Sequence, residues 1–208
     1  MEHYVITIAR EYGSGGKSIG KMLAKELGIP YYDRELLRMA SEESGISERL
    51  FADADENFKR TLLFKAARGA YKGEVIPPDS EDFVSNDNLF NFQAKVIKDL
   101  AAKESCIIIG RCGDYVLRET PHVVRLFVHA PLPVCIENAR AFQPNMDDDE
   151  LRRYVQKVNK RRANYYNYFT GRNWRDAGNY DLCINSAELS WENCVRLVRS
   201  YIEIKGQD

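Results

Sequence analysis

The sequence predicts an α/β protein built on a parallel sheet, and three observations carry that expectation. An apolar run, Val5-Ile6-Thr7-Ile8-Ala9, enters the glycine-rich turn Gly13-Ser14-Gly15-Gly16-Lys17-Ser18, and a helical pattern follows. Two further runs, Cys106-Ile107-Ile108-Ile109 and Val123-Val124-Arg125-Leu126-Phe127-Val128-His129, are nearly continuous in apolar residues, as expected of strands covered on both faces. Helix-period segments separate these strands, and such alternation is how parallel strands are joined. At 208 residues, 44% hydrophobic and 29% charged, the chain is long enough for one sizeable core, so a single domain over residues 1–208 is expected.

Each element has its own signal. After the turn, Ile19, Met22, Leu23 and Leu27 recur at helical spacing, and Gly28 supplies a stop before Pro30. Residues 29–32 read as a short strand, and Asp33 stands where it caps a helix over residues 34–44. A helix is expected over residues 58–70. Residues 73–82, with Pro77-Pro78 and an acidic cluster, read as a mobile surface loop. Leu89, Phe92, Val96, Ile97 and Leu100 mark an amphipathic helix, capped by Asn86 or Asp87, that feeds the strand at 106–109. The strand at 123–129 is followed by a helix over 131–142. Asp147-Asp148-Asp149-Glu150 then opens a long helix with acidic residues where the helix dipole favours them. Residues 180–185 read as a strand, and Ser190 caps a last helix carrying Trp191, Val195, Val198 and Ile202 on one side. No internal repeat or low-complexity tract interrupts this order.

Composition excludes several classes. A formal charge of −1 argues against a dedicated nucleic-acid or membrane-surface protein. The five cysteines, Cys106, Cys112, Cys135, Cys183 and Cys194, form no Cys-x-x-Cys pair and read as reduced, mostly buried thiols. The three histidines lack metal-ligand spacing, so structural zinc is not expected. No run approaches the roughly 18 apolar residues of a membrane span. The first residues enter a strand and do not form a signal-peptide pattern, so a cytoplasmic location is expected.

The glycine-rich turn carries the chemistry. Glycines let consecutive backbone N–H groups converge on phosphate oxygens, and the following helix presents its positive end. Lys17 is placed to reach the outer phosphates of a nucleotide triphosphate, and the Ser18 hydroxyl to hold magnesium. The residues of this phosphate loop are therefore Gly13, Ser14, Gly15, Gly16, Lys17 and Ser18. A strict loop has a glycine five positions before Gly16, where this chain has Glu11. Either the loop turns that carboxylate away from the phosphates, or the site carries an altered charge balance.

In a parallel sheet, ligands gather beyond the carboxyl ends of the strands. The phosphate loop, Asp33, Gly110-Arg111 and the segment after His129 all fall there, and one cleft is expected to hold them. Arg111 either contacts an anion or pairs with a carboxylate such as Asp114. Asp33 and Arg38 are either substrate contacts or a helix cap and a surface charge. Between Arg152 and Arg175 stand eight basic residues and no acidic one. A solvated face is the ordinary reading of such a run, but Leu151, Val155, Val158, Arg162, Tyr165 and Phe169 share one helical stripe, which puts Arg162 among apolar residues. An inward arginine is costly unless it meets an anion, so Arg162 with its neighbour Arg161 reads as a cationic clamp for phosphoryl transfer. The interleaved aromatics are ordinarily core, and base stacking by a nucleic-acid binder is the weaker alternative.

Taken together, Ile6 to Gly20, Ile29-Pro30-Tyr31-Tyr32-Asp33-Arg34-Glu35-Leu36, Ile107 to Arg111, Arg161 to Trp174 and Tyr180-Asp181-Leu182 make the chain resemble the cytidylate kinase-like family, a branch of the P-loop nucleoside monophosphate kinases. The resemblance covers essentially the whole chain. It implies a three-layer P-loop kinase fold with a central parallel sheet, a helical monophosphate-binding insertion near residues 34–103 and a helical lid near 143–179. It implies ATP and Mg2+ as cofactors, with Gly13 to Ser18 on the ATP phosphates and Ser18 on the metal. Asp33, Arg38 and Arg111 would face the acceptor, a pyrimidine nucleotide such as CMP, and Lys17, Arg111, Arg161 and Arg162 would be the catalytic cations. The chain departs from cytidylate kinases at Glu11, where they carry glycine, and at Asn159, where they carry aspartate before the paired basic residues. Those departures support two alternatives, a non-catalytic nucleotide-binding regulator and a kinase of another small acceptor.

Overall fold

The computed structural model describes residues 3–56, 71 and 73–206. The helix expected over residues 58–70 lies outside the described residues. The order is β1 (Val5–Arg10), α1 (Gly16–Leu27), β2 (Tyr31–Tyr32), α2 (Glu35–Ser44), α3 (Glu48–Glu56), α4 (Asn86–Lys103), β3 (Cys106–Ile109), α5 (Gly113–Val116), β4 (Val123–His129), α6 (Leu132–Arg140), α7 (Asp148–Thr170), β5 (Leu182–Asn185) and α8 (Trp191–Lys205). The five strands form one sheet in the order β2-β3-β1-β4-β5, all parallel. The order places β1, which feeds the glycine-rich turn, in the middle.

Side-chain alternation on the strands divides the core between the two faces of the sheet. Ile6 and Ile8 of β1 with Ile107 and Ile109 of β3 pack against Ile19 and Leu23 of α1 and Cys194, Val195 and Val198 of α8. Val5, Cys106 and Ile108 point the other way, into a cluster with Leu36 and Leu37 of α2, Ile97 and Leu100 of α4, and Tyr166 and Phe169 of α7. Helices, sheet and helices make three layers. A smaller cluster joins Cys135, Ile136 and Ala139 of α6 to Leu151 and Val155 of α7.

The observed ends differ from the expected ones where local chemistry has a competitor. Asp33 does not cap α2; Arg34 holds the N-cap position without a side-chain cap, because the Asp33 carboxylate is drawn to Lys17 at 2.5 Å. The N-cap of α4 is Ser85, whose hydroxyl accepts from the Asn88 N–H, and not Asn86 or Asp87. The strand expected over 29–32 is confined to Tyr31–Tyr32, with the Ile29 N–H closing the end of α1 on the Ala24 carbonyl. The strand expected over 180–185 begins at Leu182, and the helix expected over 131–142 runs from Leu132 to Arg140. Residues 73–85 form turns and irregular backbone. The long helix begins as expected, with Asp147 and Glu150 in a reciprocal capping box. Cys106, Cys112, Cys135 and Cys194 are buried, Cys183 is exposed, and all five are free thiols. No helix among the described residues is long and apolar enough to cross a membrane.

Candidate active site

The turn after β1 is wound so that its side-chain-free positions at Gly13 and Gly15 meet the protein. Gly13 has φ +79°, and a Cβ there would fall 2.1 Å from the Cys135 carbonyl oxygen. Gly15 has φ +77°, and a Cβ there would strike the Trp191 indole at 2.5 Å. Both positions require glycine on sterics as well as on backbone conformation. Three polar side chains from distant elements hold the turn from outside. Asn138 Nδ2 donates to the Gly13 carbonyl at 2.8 Å, the Ser186 hydroxyl donates to the Ser14 carbonyl at 2.6 Å, and Asn159 Oδ1 accepts the Tyr12 N–H at 2.7 Å. Ser14 is fully buried and its hydroxyl donates to the Glu11 carbonyl at 2.9 Å. The first-turn N–H groups of Gly16, Lys17 and Ser18 lack intrahelical acceptors, which is the chemistry that suits a helix start to an anion.

That end opens into a cavity of about 660 Å³. Its lining includes seven basic residues, Arg10, Lys17, Lys21, Arg34, Arg111, Arg161 and Arg162, against three acidic ones, Glu11, Asp33 and Asp114. The cavity therefore collects all four expected catalytic cations, Lys17, Arg111, Arg161 and Arg162, together with Gly13, Gly15, Gly16 and Ser18 of the glycine-rich turn and Asp33. Arg38 lies outside this lining, exposed on α2 and paired with Glu42 one turn on. Arg34, next to Asp33, lines the cavity. The segment after His129 lines a second cavity, of about 970 Å³, which shares Glu11 with the first. The cleft expected to hold everything is thus two cavities.

Asp33 sits at the centre of the charge. Its carboxylate lies 2.5 Å from the Lys17 ammonium and 3.8 Å from the Arg10 guanidinium. Burial works to raise its pKa, but the hydrogen bond from Lys17 and the charges of Arg10 and Arg111 outweigh it, so the carboxyl is held below its ordinary value. Burial also pushes the guanidinium pKa values down, that of Arg162 furthest because Arg10 and Arg161 add like charge beside it. Such like-charge crowding is relieved when a polyanion enters. Arg162 donates to the Arg10 carbonyl at 2.8 Å and stands 5.8 Å from the centre of the Tyr12 ring. Its apolar stripe is real, since Leu151, Val155, Val158 and Phe169 are buried.

At the β3 end, Arg111 and Cys112 adopt left-handed backbone, with φ 56° and 52°. Such conformations cost of order 1 kcal/mol or more in a non-glycine residue, and Arg111, Cys112 and Asp114 all line the cavity. Asp114 does not serve as a surface partner for Arg111. It is buried, and its Oδ2 accepts the Tyr166 hydroxyl at 2.6 Å. Burial raises its pKa to about 6 against the opposing pull of Tyr166 and Arg125.

Glu11 answers the question raised by its position. Its carboxylate turns out of the loop and meets Arg175, 2.6 Å away in the segment after α7. Arg10, the nearer arginine in sequence, is engaged with Asp33. Sequence reasoning missed Arg10, Asn138, Ser186 and the Glu11–Arg175 pair, because each acts through a partner more than twenty residues away. Arg10 carried one legible signal, a charged residue at the carboxyl end of an otherwise apolar strand.

The profile of the cytidylate kinase-like family matches residues 5–188 of the chain. The cytidylate kinase of Methanosarcina barkeri is 27% identical over 200 residues, which is 95% of this chain and 96% of that protein. Among solved structures, an uncharacterised protein of Eubacterium ventriosum superposes with a TM-score of 0.69 at 23% identity, covering 97% of this chain and 99% of that one. The shikimate kinase of Bacteroides thetaiotaomicron superposes with a TM-score of 0.52 at 16% identity, covering 96% and 98%. The structural likeness is to the fold of P-loop kinases.

Proposed function

Starting from a chain that belongs to the cytidylate kinase-like family, we propose a cytoplasmic nucleotide kinase that transfers the γ-phosphoryl group of ATP to a nucleoside monophosphate, a pyrimidine nucleotide such as CMP. The observation that carries this reading is the convergence of Lys17, Arg111, Arg161 and Arg162 with the phosphate loop on one cavity. Phosphoryl transfer asks for positioning and charge neutralisation more than for covalent chemistry, and this cavity supplies both. The loop N–H groups and Lys17 bind the donor triphosphate. Arg161 and Arg162 on α7 bear on the transferring group, and Arg111 with Asp33 and Arg34 faces the acceptor. Domain organisation follows the same reading, with an insertion over about 34–103 and a lid over about 143–179 that closes on bound substrates and excludes water. The five free thiols are in keeping with a reducing compartment.

The donor set fits magnesium held mainly by substrate phosphates and water, as that ion prefers. The partly buried Ser18 hydroxyl on the first turn of α1 would hold it, and among the described residues no cluster of three His, Cys, Asp or Glu competes as a separate metal centre. Bound there, the ion neutralises charge on the β- and γ-phosphates.

A panel of nucleoside monophosphates and small hydroxylic acceptors, assayed by coupled ADP release with MgATP, tests the proposal. Release dependent on CMP or a related pyrimidine nucleotide is expected. Release only with a hydroxylic acceptor would make it a kinase of another small molecule. Nucleotide binding without release on any acceptor would leave a regulatory protein on the same fold.

A further inference from the structure

We infer that Glu11 and Arg175 form an electrostatic mask, in which Arg175 is a positioning residue that keeps the Glu11 carboxylate away from the donor phosphates without touching them itself. This rests on the reading of the loop as a donor-phosphate site.

Glu11 stands where a strict phosphate loop has glycine, so its charge is brought to the edge of the anion site by the backbone itself. That backbone is pinned. The Glu11 N–H donates to the Val128 carbonyl at 3.0 Å, and the Glu11 carbonyl accepts from the Ser14 hydroxyl at 2.9 Å. The side chain is the free variable, and it is 11% exposed with its carboxylate on Arg175 at 2.6 Å.

Arg175 is 60% exposed, yet its backbone is fixed. Trp174 before it is buried with its indole edge-on to Phe127 at 5.3 Å, and the Trp174 carbonyl accepts the Tyr180 hydroxyl at 2.7 Å. The Arg175 N–H donates to Asn173 Oδ1 at 3.1 Å. An exposed ion pair ordinarily contributes little to stability. Here the consequence falls on the neighbouring site, because an unpaired carboxylate at the mouth of the loop repels a polyanion.

Asn159 points the same way. Its amide oxygen accepts the N–H of Tyr12, the residue after Glu11. An aspartate would accept that same N–H but would set a second carboxylate beside Glu11. The neutral acceptor adds no second carboxylate beside Glu11, whose own charge Arg175 matches.

The test measures MgATP affinity by calorimetry in wild type, Glu11→Gln, Arg175→Gln and the double variant. Loss of Arg175 alone should weaken binding by about tenfold, on the scale of one partly screened like-charge interaction. The deficit should shrink as salt is raised. Glu11→Gln should bind within about twofold of wild type, and in the double variant affinity should return to that level, since the unmasked charge is gone. Arg175→Lys should retain binding and serves as the paired comparison if Arg175→Gln does not fold. A structural role for Arg175 would instead leave the loss in place in the double variant, and that result overturns the mask. So does unchanged affinity in Arg175→Gln. Inorganic tripolyphosphate separates the two readings: if wild type binds neither it nor MgATP, the phosphate site itself is wrong, whereas normal wild-type binding with an unmoved Arg175→Gln sinks the mask alone.

Discussion

At Lys17 the outcome of binding is a competition between anions, since the ammonium already has the Asp33 carboxylate at 2.5 Å. A triphosphate offers more charge and the N–H groups of the loop besides, so Lys17→Ala should abolish MgATP binding as read by calorimetry. Arg162 should behave differently. It sits on α7, and its loss should leave ATP affinity nearly intact while lowering turnover by roughly 100-fold, the scale of removing one charge-stabilising donor. Full turnover in Arg162→Ala would reduce the residue to its hydrogen bond with the Arg10 carbonyl. Asp114 adds a pH dependence whose sign follows from its raised pKa. The folded protein favours the protonated carboxyl, so this stabilisation is full below the ordinary value of 3.8 and is lost as pH rises through about 6. At neutral pH the buried charge costs about 3 kcal/mol. Asp114→Asn should therefore flatten the fall in thermal midpoint between about pH 4 and about pH 6. Lys17 and Arg162 were legible because each breaks a local pattern, a glycine turn and an apolar stripe. Arg10, Asn138 and Ser186 were not, because their partners are fixed only by the fold, and Arg38, expected beside the acceptor, lies exposed on α2 outside the cavity lining.

Among the elements, the glycine-rich turn has no room for added volume at Gly13. Gly13→Ala would drive a methyl group into the Cys135 carbonyl, so loss of nucleotide binding together with a lower melting temperature is expected. The long helix α7 depends on its capping box, and Asp147→Ala should cost about 1 kcal/mol in urea denaturation. The strands Cys106–Ile109 and Val123–His129 emerged at the residues their apolar runs mark, because strands covered on both faces read as near-continuous apolar runs. Caps were less legible. Ser85, Asn86 and Asp87 are all good capping residues in sequence, and only packing selects Ser85.

Over the whole molecule, ligand binding and stability are one measurement. MgATP at about one hundred times its Kd adds about 2.7 kcal/mol to a fold that alone binds it. For a chain of 208 residues that corresponds to a rise in melting temperature of about 5–10 °C, readable by scanning calorimetry. No shift at saturating nucleotide would contradict the phosphate-loop assignment. The parallel sheet was legible from its buried strands, whereas the two cavities that share Glu11 were not, since their linings gather residues far apart in the chain.

The three side chains that brace the loop lie 125, 147 and 172 positions away along the chain from the groups they hold. Contacts of such span close late in folding, because the intervening chain must first be ordered. On the ribosome, where residue 13 emerges long before residue 186, the nascent protein has the loop's sequence but not its shape. The full set of braces is therefore in place only once the chain extends through Ser186.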